Sequence, residues 1–130
     1  MPSPKVSLTG DLVCAGWQRL RRETPRVHCI TNAVAQSFTA NVLLALGAVP
    51  SMTIAPDEVE GFAASADALL VNLGTLDQAR RLAIPKAMQS ARQAGKPVVL
   101  DPVFVNRSET RCAVATDLVS HKPTLLRASR

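Results

Sequence analysis

Residues 68–72 read ALLVN, apolar at consecutive positions rather than at alternate ones. A strand with one wet face alternates apolar and polar side chains, whereas a run like this belongs where both faces of a sheet are covered. Covering both faces takes helices on each side, and the chain has the pattern for them. Short apolar runs at 27–31, 51–54, 68–72, 98–101 and 123–127 alternate with longer stretches of helical periodicity. Asp11 caps a first helix in which Val13, Trp17 and Leu20 recur, and Pro25 stops it. From about residue 33, Val34, Phe38, Val42, Ala45 and Leu46 line one helical face that ends at Gly47. Acidic Asp57, Glu58 and Glu60 mark the start of a helix running to 66. A long helix over 76–94 is expected to bend or break at Pro85 and to close at Gly95. Ser108 caps a helix over 109–120, and residues 1–10 read as a loose lead-in. The alternation predicts an α/β fold with a mainly parallel sheet and right-handed crossovers. It forms a single domain over 1–130, without repeat or internal linker.

Charge and sulfur narrow the function. The net charge of +5 is uneven: residues 27–103 carry five basic and six acidic groups, and the excess sits at the two ends. With no Tyr, one Trp and three Phe, the basic face with interleaved aromatics that nucleic acid takes is not expected. The longest apolar stretch, 42–50, is too short to cross a membrane, and no apolar segment near the start reads as a secretory signal. Three cysteines without CxxC spacing favour a reducing, cytoplasmic setting over a disulfide framework.

In open parallel sheets, ligands sit beyond the carboxyl ends of the strands. The polar residues there are Asn32, Asn72 with Gly74, Asp101 and Arg127. Each also has a plain structural role open to it. Asn32 caps the next helix or touches a ligand. Asn72 and Gly74 form a turn, or Gly74 lets a ligand approach the backbone. Asp101 caps a loop, or orients phosphates and holds Mg2+ indirectly. Arg127 is a solvated charge or a phosphate contact. The neighbours His28 and Cys29 point to opposite faces of a strand, so they are not a nucleophile–base pair. Cys29 reads as core and His28 as structural, and the Cys and His residues lack zinc-ligand spacing. Neither GxxxxGK[ST] nor GxGxxG occurs.

RVHCITNAVAQSFTANVLLALGAVPSM, ALLVNLGTL, GKPVVLDPV and KPTLLR, in this order and spacing, resemble hydroxyethylthiazole kinase of thiamine biosynthesis. The resemblance runs from about Asp11 to Arg127. It implies a ribokinase-like, three-layer α/β fold and ATP-dependent phosphorylation of the hydroxyl of 4-methyl-5-(2-hydroxyethyl)thiazole. It further implies Mg2+ and a homotrimer with active sites between subunits. By position it makes Met52, Asn32 and Gly74 thiazole-binding residues, Arg127 an ATP-binding residue, and Asp101 an acid near the Mg-phosphate region. A strand methionine is more often core than ligand contact, and only the resemblance raises Met52. FVNRSETR stands where the family has a Gly-rich continuation after LDPV. The family's Gly-Ala-Gly-Cys anion hole, with its activating residue, is not in these residues. The expectation is therefore an amino-terminal half domain, with its catalytic residues in the other half and no kinase activity alone. The alternative is a non-catalytic thiazole-binding or subunit-association module.

Overall fold

In the computed structural model, which describes residues 7–128, the elements run α1 (Gly10–Glu23), β1 (Arg26–Ile30), α2 (Gln36–Leu46) and β2 (Val49–Ser51). They continue through α3 (Val59–Ser65), β3 (Ala68–Asn72), α4 (Gln78–Gln93) and β4 (Val98–Asp101). A 3-10 turn at Val105–Arg107, α5 (Glu109–Ser120) and β5 (Leu125–Leu126) complete the order. Most of the expected loose lead-in, residues 1–6, lies outside the described residues, as do 129 and 130.

The five strands pair in the order β2-β1-β3-β4-β5, all parallel. Right-handed crossovers then settle which face each helix takes. The step from β1 to β2 runs one way across the sheet, and the steps to β3, β4 and β5 run the other. So α2 covers one face, while α3, α4 and α5 cover the opposite one. The core agrees: Ile30, Leu69, Val71, Val98 and Leu100 meet Val59 and Ala63 of α3, Ile84 and Met88 of α4, and Ala115 and Leu118 of α5. The α/β fold with a parallel sheet flanked by helices is thus as the alternation predicts.

Several details differ, each for a physical reason. The second strand lies at 49–51 rather than 51–54, because Val49, Pro50 and Ser51 pair with Arg26, Val27 and His28. It is an edge strand, where a proline without an N–H is tolerated. The α4 helix runs through Pro85 without a break. Proline removes one hydrogen bond there, but buried Ala83, Ile84, Ala87 and Met88 hold both sides of it against the core. The ALLVN strand is buried alternately: Leu69 and Val71 fully, Leu70 only partly. On that second face α2 touches β2, and α1 packs on α2 rather than on β3 or β4. The apolar stripe of α2 is accordingly exposed; Phe38 is 72% accessible, and neither α1 nor α2 has a buried residue. Thr9, not Asp11, caps α1, its hydroxyl accepting from Leu12 N at 3.3 Å. Residues 33–35 and 56–58 are turns rather than first helical turns.

Candidate functional site

The connections from β1 and β3 leave on opposite faces, so a crevice opens between these strands at their carboxyl ends. That switch point is where open α/β sheets bind ligands. Two features of the sequence fill it with polar groups. Side chains alternate along a strand, and Val71 and Leu100 point into the core, so Asn72 and Asp101 point the other way. The parallel register places Asn72 beside Asp101. Leu100 pairs with Leu126, which brings Arg127 beside Asp101 as well.

The result is one hydrogen-bonded row across the sheet. Arg127 Nη1 donates to Asp101 Oδ2 at 2.7 Å, and Asn72 Nδ2 donates to the same oxygen at 3.3 Å. Asn32 Nδ2 donates to Asn72 Oδ1 at 3.3 Å, and the Gly74 N–H donates to that oxygen at 2.8 Å. Asn32 Oδ1 accepts from Ala35 N at 2.7 Å, closing the turn before α2. Asn32 therefore closes the turn before α2 with its oxygen while its amide joins the row. A Cβ on Gly74 would sit 2.8 Å from Asn32 Cβ and 2.9 Å from Asn72 Oδ1. The glycine thus makes room for these two side chains. Asp101 is 8% exposed, while the Arg127 side chain is 64% exposed. The carboxylate is held in the sheet edge, and the guanidinium keeps further donors free for an anion.

Two arginines brace the row. Arg80, 4% exposed, donates from Nε to the Thr31 carbonyl at 2.9 Å and from Nη1 to Asp77 at 2.6 Å. Asp77 caps α4 by accepting from Arg80 N, which is the first cause holding its carboxyl below the ordinary value. Arg111 of α5 reaches back to the carbonyls of Leu73 and Gly74 and lies over the Phe104 ring. Thr75 adds a tie between the two strand ends, its hydroxyl accepting from Ala33 N at 3.0 Å. Arg80, Arg111 and Thr75 carry no motif that marks them in the sequence; the i,i+3 spacing of Asp77 and Arg80 at a helix start is the nearest signal.

Met52 directly follows β2, half-buried and one strand away from the row. Thus Asn32, Gly74, Asp101 and Arg127 are brought together through Asn72, and Met52 is not part of that network. Below it, His28 is fully buried, with Nδ1 2.7 Å from Ser51 Oγ and Nε2 3.1 Å from the Thr53 carbonyl. Burial lowers its pKa, against the pull of the Thr53 hydrogen bond and of Glu58. Cys29 is buried on the other face, where burial pushes the thiol up to about 11. It is uncharged at neutral pH and no nucleophile.

A cavity of about 500 Å3 opens beside the row, lined by Asp101, Pro102, Phe104, Asn106, Arg107 and Ala128 among others. For a metal, the described residues offer no group of three His, Cys, Asp or Glu side chains. Both donors to Asp101 use the same oxygen, Oδ2. This lone carboxylate fits Mg2+ as that ion is usually held, by one or two carboxylates together with substrate phosphates and waters.

Residues 17–129 match the hydroxyethylthiazole kinase family. The chain is 48% identical over 127 residues to the hydroxyethylthiazole kinase of Cronobacter sakazakii, spanning 94% of this chain and 48% of that protein. It is 52% identical over 110 residues to that of Klebsiella pneumoniae, spanning 85% of this chain and 43% of the other. The solved structure of the hydroxyethylthiazole kinase protein from Pyrococcus horikoshii OT3 matches with a TM-score of 0.88 at 39% identity. That match covers 92% of this chain and 47% of the other. The chain spans about half the length of the curated relatives it matches.

Two outcomes test this geometry. Gly74→Ala forces Asn32 and Asn72 apart and is expected to destabilise the chain by about 1–3 kcal/mol, the range for overpacking. Gly61→Ala, on the open face of α3, is neutral or stabilising; urea denaturation of both variants reads the contrast. The second outcome concerns pH. Because the folded chain lowers the His28 pKa from 6.5, the unfolded chain binds more protons just below that pH, so stability rises with pH there. The stability gained by keeping the ring neutral is full above pH 6.5 and is lost as pH falls toward the folded value. Glu58, Ser51, Thr53 and Phe62 face the ring. Denaturation midpoints measured across this range are expected to fall with acid in the wild type and to flatten in His28→Gln.

Proposed function

The chain belongs to the hydroxyethylthiazole kinase family, and from that premise we propose that it forms the thiazole pocket and part of the ATP contact of such a kinase. The substrate is 4-methyl-5-(2-hydroxyethyl)thiazole, phosphorylated on its hydroxyl with ATP as co-substrate, in thiamine biosynthesis. The observation that supports this reading most is the polar row at the switch point. It runs from Asn32 and Gly74 on one side to Asp101 and Arg127 on the other. Asn32 and the backbone at Gly74 line the thiazole side, with Met52 across β1; its soft thioether suits a sulfur-containing aromatic ring. Arg127 meets a phosphate with the donors it does not give to Asp101. Mg2+, when bound, would neutralise phosphate charge, with Asp101 holding it through water. Asn72 keeps the two ends in register by donating to Asp101 while accepting from Asn32 and Gly74.

Phosphoryl transfer rests on positioning and on neutralising charge around three phosphate oxygens. The row faces the reacting group from one side only. In this reading the 130 residues bind the thiazole but do not turn it over unaided. The exposed apolar side chains of α1, of the turn before α2 and of α2 itself, Trp17, Val34 and Phe38 among them, support self-association, into the trimer that the resemblance to the family implies. They also favour the second reading, a thiazole-binding or subunit-association module without catalysis. A cytoplasmic location fits the free cysteines at 14, 29 and 112, and no described helix is long and apolar enough to cross a membrane.

Calorimetric titration with the thiazole alcohol is expected to show saturable binding that weakens about tenfold in Asn32→Ala, as loss of a buried hydrogen-bonding partner commonly does. With ATP and Mg2+ added, ADP release is expected to stay at background. Absence of binding contradicts the substrate assignment, and robust ADP formation by the 130 residues contradicts the one-sided site.

A further inference from the structure

Met52 stands between two residues held by one histidine ring. The Thr53 carbonyl can only accept, so His28 Nε2 carries the proton and donates to it at 3.1 Å. In the neutral ring Nδ1 is then an acceptor, and the Ser51 hydroxyl donates to it at 2.7 Å. The ring has no accessible surface and lies 5.4 Å from the Phe62 ring of α3, between centroids. Thr53 is fastened a second time, its hydroxyl donating to Glu58, and it also accepts from Ala55 N at 3.4 Å. Strand pairing of β2 ends at Ser51, so beyond that residue no ladder fixes the path of the chain. The histidine takes over where the ladder stops, one contact on each side of residue 52.

We propose that His28 is a positioning residue that sets the backbone at Met52 and so presents this side chain to the thiazole; the part about thiazole rests on the function proposed above. An apolar replacement leaves the half-buried Thr53 carbonyl without its donor, a cost that moving the loop relieves. Glutamine can still donate to that carbonyl. A glutamine amide also carries both a donor and an acceptor, but its longer chain has more rotamers to freeze than the rigid ring.

The test labels the methionine methyl groups of the 130-residue chain and reads the Met52 resonance by NMR, beside calorimetric titration with the thiazole alcohol. In His28→Ala the Met52 methyl is expected to shift and broaden, and thiazole affinity to fall about tenfold or more, as small misplacements at a site do. His28→Gln is expected to recover most of both. The ring nitrogens of the wild type are expected to report the Nε2–H tautomer. An unmoved Met52 methyl in His28→Ala, or an Nδ1–H ring in the wild type, overturns the proposal. If His28→Ala fails to fold, Ser51→Ala removes the Nδ1 partner alone; a shifted Met52 methyl supports the clamp, and an unmoved one overturns it. A shifted methyl in a chain whose wild type does not bind the thiazole supports the clamp and contradicts the functional reading instead.

Discussion

Asp101 Oδ2 accepts from Arg127 and from Asn72, and that shared oxygen ties the carboxyl ends of β3, β4 and β5 together. The row of polar side chains across the crevice is anchored on it. Asn72, fixed by the carboxylate, turns its own oxygen toward Asn32 and the Gly74 N–H. Asn32, fixed in turn, closes the entry to α2. The row is short of redundancy: each amide donates in one direction and accepts in the other, so a change at one residue is felt by the next.

The register makes the row possible. Parallel strands keep side chains of one level on one face, and four strands end near the same level with a polar residue. A slip of one residue in β4 would turn Asp101 into the core and Leu100 toward the crevice. The dense packing of Leu69, Val71, Val98 and Leu100 against α4 and α5 opposes that slip, so core and site are fixed by the same alternation. Arg80 and Arg111 work from outside the strands. Arg111 gives two donors to the carbonyls of Leu73 and Gly74, and Arg80 links the Thr31 carbonyl to Asp77 at the start of α4, holding loops that no ladder reaches.

Much of this is legible in the amino-acid sequence. The consecutive apolar residues of ALLVN called for helices on both faces, and the strands at 68–72 and 98–101 fall where the pattern puts them. Polar strand ends pointed to Asn32, Gly74, Asp101 and Arg127, whereas Met52 came forward only through resemblance to a family. What stayed hidden depends on contacts between distant residues. Nothing in the local sequence says that Arg111 reaches Gly74 across 37 positions. Nor does it say that the stripe of Val34 and Phe38 stays exposed, since periodicity reports that a face is apolar and not what covers it. The second strand lies at 49–51 rather than 51–54 because its bounds are set by pairing with β1, and an edge strand tolerates Pro50.

The central claim is that a small ligand enters the crevice between β1 and β3 and meets Asn32, Asn72 and Gly74 together. Two-dimensional NMR of the 15N-labelled chain tests this directly as the thiazole alcohol is added. The side-chain amides of Asn32 and Asn72 and the backbone amide of Gly74 are expected to shift on one common saturation curve, with the exposed Asn41 amide unmoved. Saturable shifts that leave all three of those signals in place would contradict the account.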